Sequence, residues 1–285
     1  MARKQRSILS SLISLELADK TDKKLIHVFS KLFSRLKNPN DFLELFYALV
    51  DLGSEKFARV LSYLNAKIQK HIKQLGMEKL RVLLLYTSQT CPRCLKMFLD
   101  RFGEDISGVI DRMHFNDIVI LAINISLLNE DCGQWFVEAM KDTIRRLART
   151  EGFNHFGTVI WYMATLRQYR LARLFIDILS DIFLQKCRSI SEIGDFLFWL
   201  SRGSEEIGDY AFEVVKKHIF DLMETSTIQE IARFLVVIKK HDGMAKRVMR
   251  EVAPRIRGRL KTKEEAERLR NILNYFRIDV EELNF

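Results

Sequence analysis

The residues best suited to chemistry in this chain are Cys91-Pro92-Arg93-Cys94. Two thiols separated by two residues at the start of a helix feel its macrodipole, which favours the thiolate; redox pairs and metal half-sites both use that spacing. Either use needs company. Thioredoxin-like chemistry wants a βαβ unit, and zinc wants two further ligands, for which Cys132 and His114 are the candidates. Cys132 follows Cys94 by one internal period of the chain, described below, so it should sit about 10 Å away, one helix diameter, too far to share an ion without local adjustment. The reading favoured by the sequence is a pair of structural cysteines, with metal binding and redox chemistry as alternatives. Four cysteines without a secretory segment make no disulfide framework, and a reducing, cytoplasmic setting is the expectation.

Other constellations are thinner. His27, His71, His114, His155, His218 and His241 are scattered without a ligand spacing, and neither a nucleophile elbow nor the phosphate loop G-x-x-x-x-G-K-[ST] occurs. The sequence gives no basis for catalysis, and no cofactor or metal site is expected. No run approaches the roughly 18 apolar residues of a membrane span, so no membrane partner is expected.

Charge is distributed in blocks. Residues 1–36 carry eight Lys and Arg against three Asp and Glu, residues 189–226 three against eight, and residues 227–263 eleven against three. Between 244 and 263, helical spacing puts Ala245, Val248, Met249, Val252 and Ile256 on one face. Lys246, Arg247, Arg250, Arg257 and Lys261 cluster opposite, with Pro254 a candidate kink. Such a basic face could hold phosphates by counterion release or dock an acidic partner.

The elements that position these residues follow from a period. Around residues 191–200, SEIGDFLFWL, Ile193, Phe196, Leu197 and Leu200 share one helix face. The same figure starts at Phe42, Leu80, Ile118, Phe156, Ile231 and Leu269, spaced 38 residues apart with a single step of 37. A second apolar helix keeps register within each period, as in Phe57, Val60, Leu61, Leu64 and Ile68, or Leu95, Phe98, Leu99, Phe102 and Ile106. Asn40 or Asp41 is the expected N-cap after Pro39, and Gly53-Ser54 and Gly203-Ser204 mark turns. Six residues past each anchor stand Ala48, Tyr86, Asn124, Tyr162, Trp199, Val237 and Tyr275. Stacked periods would line these up as a ladder, with Tyr86, Tyr162, Trp199 and Tyr275 as candidate partner-binding aromatics. Position five, which includes Trp161, is also apolar, so the ladder could equally be inter-helix packing.

The expected fold is all-α: an α-solenoid of about seven helical hairpins plus a terminal helix. It spans 1–285 as a single domain, with a capping hairpin at 1–36, six repeats of about 38 residues over 37–260 and a capping helix and tail at 261–285. The two-helix period resembles HEAT repeats, and residues 188–260 resemble the helical sensor repeats of archaeal STAND-type signalling ATPases, without the ATPase module. That resemblance implies a partner-sensing array. The expected function is a non-enzymatic scaffold for a protein or peptide, the alternative being a nucleic-acid binder that uses the basic helix near 244–263.

Overall fold

In the computed structural model, residues 21–36, 38–239 and 242–275 are described. Among them the chain is all helix, with no strand: α1 (Asp22–Arg35), α2 (Pro39–Asp51), α3 (Ser54–Ile72), α4 (Met77–Thr90), α5 (Pro92–Ile110), α6 (Phe115–Leu128), α7 (Glu130–Ala139), α8 (Lys141–Ala148), α9 (Phe153–Thr165), α10 (Tyr169–Leu184), α11 (Ile190–Gly203), α12 (Glu205–Thr225), α13 (Ile228–Lys239), α14 (Asp242–Arg259) and α15 (Lys263–Tyr275).

Local chemistry sets the boundaries. The Asn38 side chain accepts the N–H groups of Asn40 and Asp41 at 2.9 and 3.0 Å. The cap of α2 is therefore Asn38, not Asn40 or Asp41, because Pro39 occupies the first helical position, where its missing N–H costs nothing. Gly53, at φ +84°, supplies the positive-φ residue that lets α3 start with only two residues between it and the end of α2. Ser189, Ser204 and Asn129 cap α11, α12 and α7 with side-chain oxygens. Pro254 lies inside α14, which runs through it as one helix.

The chain divides into two compact units, Met1–Leu147 and Ala148–Phe285. Each has two layers. In the N-terminal unit α2, α4 and α6 pack in sequence in one layer, and α1, α3, α5 and α7 in the other. In the C-terminal unit α9, α11, α13 and α15 form one layer and α10, α12 and α14 the other. The core lies between the layers. All seven anchors, Phe42, Leu80, Ile118, Phe156, Ile193, Ile231 and Leu269, are buried there, as are their partners four residues on.

Polar side chains tie neighbouring helices of one layer across 33 to 38 residues of sequence: Arg101 to Asn65, Gln69 to Asp105, Tyr210 to Asp177, Arg233 to Asp195. Glycines set the closest approaches. A Cβ at Gly133 would lie 2.4 Å from Cβ of Ser126, and one at Gly208 would lie 2.8 Å from Cβ of Ser201; each is the contact between the two helices of a hairpin. Gly194 likewise makes room for Phe234, from the following helix of its layer.

Two departures from the expected pattern stand out. The second helix of the fourth period is split into α7 and α8 at Met140, which is fully buried and has left the helical backbone region. The first part of the N-terminal capping hairpin, residues 1–20, and the tail from 276 lie outside the described residues.

Candidate recognition surface

The aromatic ladder behaves differently in the two units. In the N-terminal unit Ala48 is buried, and the Tyr86 hydroxyl donates to Asp51 at 2.6 Å while its ring sits 4.3 Å from that of Tyr47. Tyr86 is therefore half-buried and engaged within its own unit. In the C-terminal unit Tyr162, Trp199 and Tyr275 are exposed to 46, 52 and 82 %.

Trp199 does not stand alone. Between α9 and α11 runs a groove of about 540 Å³, lined by Phe153, Asn154, Gly157, Thr158, Trp161, Asp195, Phe196 and Trp199. Its floor is packed from below, since the Phe196 ring stacks on Phe156 at 5.4 Å and lies 5.3 Å from Phe153. Gly157 lets that ring in, because a Cβ there would come within 3.2 Å of it. Trp161, 36 % exposed, is seated against the end of α11. A Cβ at Gly203 would meet its Cδ1 at 3.0 Å, so only glycine leaves the indole where it is. Trp199 packs edge-on against Phe198 and carries the Arg202 guanidinium 5.6 Å from its ring centre. Asp195 pairs with Arg233 at 3.3 Å. The groove thus offers two indoles over an apolar floor, with Asn154, Thr158 and Asp195 as polar handles. That combination buries an apolar side chain and orients its backbone.

The sequence pattern singled out Trp199 and left Trp161, at the apolar position five, without a role of its own. Its signal was present in the one-residue offset between the two tryptophans, Trp161 at position five and Trp199 at position six, which turns them toward a shared groove.

Arg247 spends its guanidinium on Asp209 and Glu213 of α12, at 2.8 and 2.9 Å. The Glu213 carboxyl is held below its ordinary value, first by the hydrogen bond from Lys216 and then by Arg247. Arg250, Arg257 and Lys261 are exposed, whereas the Lys246 side chain lies outside the described residues. Nearby, Arg255 lies over the Phe220 ring at 4.9 Å and Arg259 pairs with Glu265.

The cysteines divide into two kinds. Cys91 and Cys94 are joined by a disulfide, which the sequence reading did not anticipate. Cys132 and Cys187 are free and buried, and burial pushes their thiols up to about 11 and about 12. Among the described residues no three His, Cys, Asp or Glu side chains gather in a way that could hold a metal ion. His71 accordingly serves packing, stacked on Phe42 at 5.4 Å with Nε2 3.3 Å from the Phe33 carbonyl. No helix of the described residues is long and apolar enough to cross a membrane. Compared with known proteins, the chain matches no family model, no curated protein and no solved structure, so the likeness to HEAT and STAND sensor repeats rests on the sequence pattern alone.

Proposed function

We propose that each unit is a segment of an α-solenoid built on the 38-residue period, and that the protein is a non-enzymatic scaffold. It binds a protein or peptide along the first-layer face of the C-terminal unit. The observation that carries this reading is the pair of exposed indoles, Trp161 and Trp199, that line the groove between α9 and α11. Tryptophan in water forgoes a large burial term, and clustered exposed aromatics over a preformed apolar floor have the character of an interaction hot spot. The nucleic-acid reading ranks second because Arg247, central to the basic face, is already paired to α12.

Selection of a random peptide library on the full chain tests the proposal. Peptides that bind should lose at least about tenfold in affinity, near 1.4 kcal/mol, with either Trp161→Ala or Trp199→Ala. They should be indifferent to neutralising Lys246, Arg247, Arg250 and Arg257 together. Selected peptides that ignore both tryptophan variants would remove the groove from the function. Tight binding of duplex or single-stranded nucleic acid, released by salt and lost in the quadruple variant, would replace the reading with the second one.

A further inference from the structure

The Cys91–Cys94 bond lies far from the groove in sequence and plays no part in the proposed binding. Its two sulfurs occupy unequal environments. Cys94 is fully buried on the core face of α5, whereas Cys91 is partly exposed in the turn between α4 and α5. Cys91 also occupies a junction. Its N–H closes α4 on the Thr87 carbonyl at 2.9 Å, and its sulfur caps α5, accepting the N–H of Cys94 at 3.2 Å. Pro92, at the first helical position, fixes the entry of α5.

We infer that Cys91 and Cys94 form a reversible thiol–disulfide exchange site, with Cys91 as the sulfur that meets the outside reagent, Cys94 as the resolving sulfur, and a dithiol as reductant. The exposure difference decides the direction of attack, since an incoming thiolate reaches Cys91 and not Cys94. In the first step a thiolate of the dithiol bonds to Cys91 Sγ, the Cys91–Cys94 bond breaks, and Cys94 leaves with the electron pair and takes up a proton. In the second, the other sulfur of the dithiol attacks its own partner sulfur in the mixed disulfide. The reductant departs as a cyclic disulfide and Cys91 is released. Two electrons and two protons pass from the dithiol to the cysteine pair. The reduced Cys91 is left as the N-cap of α5, where the Cys94 N–H and the positive end of a 19-residue helix stabilise its thiolate. Such a thiolate re-forms the disulfide readily when an oxidised partner is offered. Cys132 and Cys187, both buried, with thiols pushed far up, take no part.

The test uses the full chain, purified without reductant and never denatured. Excess dithiothreitol followed by iodoacetamide should add one alkyl group, mapped to Cys91, and none to the buried Cys94, Cys132 or Cys187, whereas iodoacetamide without dithiothreitol should add none. Oxidised glutathione offered to Cys94→Ser should form a mixed disulfide on Cys91 at least about tenfold faster than it forms one on Cys94 in Cys91→Ser. Should Cys94→Ser fail to fold, Cys94→Ala keeps the core apolar and serves the same purpose. A bond that resists dithiothreitol until denaturant is added would make the pair a structural staple and overturn the inference. So would equal reactivity of the two single variants, or a protein that keeps both thiols free in air.

Discussion

Replacing Gly133 by alanine sets two effects against each other, and the structure determines which one wins. Alanine is the better helix former by up to about 1 kcal/mol. The new Cβ, however, would lie 2.4 Å from Ser126 Cβ, 2.8 Å from its Cα and 2.9 Å from its Oγ. An ordinary contact begins near 3.4 Å, so α6 and α7 must part by about 1 Å, and the atoms in the way belong to a helix backbone and the first atom of a side chain. Neither can rotate aside. Overpacking of this kind costs about 1–3 kcal/mol, and the backbone contact places it at the upper end, leaving a net loss of about 1–2 kcal/mol. Gly108, in α5 of the same unit, is the control: it is exposed, with nothing within 4 Å of its would-be Cβ, so Gly108→Ala should gain about 0.5–1 kcal/mol. Urea unfolding followed by circular dichroism, on both variants and the parent, reads the difference directly. The two should move in opposite directions, separated by about 1.5–3 kcal/mol. Adding Ser126→Gly to the first should recover part of its loss. If Gly133→Ala proves as stable as Gly108→Ala, the close approach of α6 and α7 is wrong.

Leu197, fully buried in α11, should not tolerate a charge: Leu197→Asp is expected to lose about 3 kcal/mol or more in thermal or chemical unfolding, and a wild-type midpoint would contradict the core as drawn. The Tyr47 hydroxyl is buried without a hydrogen-bond partner, and burial, then Glu44, raises its pKa from 10.0 to about 12. Between those values the unfolded chain has lost the phenolic proton and the folded one has not, so stability should fall as pH rises through that window. Tyr47→Phe should remove this component and stabilise by about 1 kcal/mol at neutral pH; an unchanged alkaline slope would refute it. The Glu213 carboxyl, lowered by Lys216 and Arg247, keeps its ion pairs above the ordinary carboxylate value and loses them only as pH falls through its depressed one. Its titration midpoint, followed by NMR, should rise in Arg247→Gln, with a stability effect under about 1 kcal/mol because the pairs face solvent. A midpoint that stays put would mean that Arg247 does not hold Glu213.

The fold was legible because its signal is repeated. A single run such as Ile193, Phe196, Leu197 and Leu200 shows one helix face, but seven runs at one spacing show which faces meet. All seven anchors are buried accordingly. The break at Met140 was not legible, since Ile144 continues the apolar pattern beyond it and its N–H bonds to the Met140 carbonyl at 2.9 Å, so periodicity sees no interruption. The caps misled for a related reason. Asn38, Asn40 and Asp41 are all good capping residues, and only the position of Pro39 decides among them.

The candidate site was legible only in part, because whether a periodic residue is exposed depends on which side chain fills the same place one period away. Tyr86 and Trp199 share a position in the repeat and the same amphipathic character. Tyr86 finds Asp51 for its hydroxyl and Tyr47 for its ring, and is drawn inward; Trp199 meets Trp161 across an open groove and stays out. Charge obeys the same rule. A helical wheel of α14 puts Arg247 among solvent-facing cations, yet the acidic stretch at 189–226 supplies Asp209 and Glu213 as its partners. Composition along one helix therefore overstates a free charged surface whenever the neighbouring helix has opposite sign, and α12 and α14 are such a pair. What the basic block can still offer an anion is what α12 leaves uncovered, including the exposed side chains of Arg250, Arg257 and Lys261.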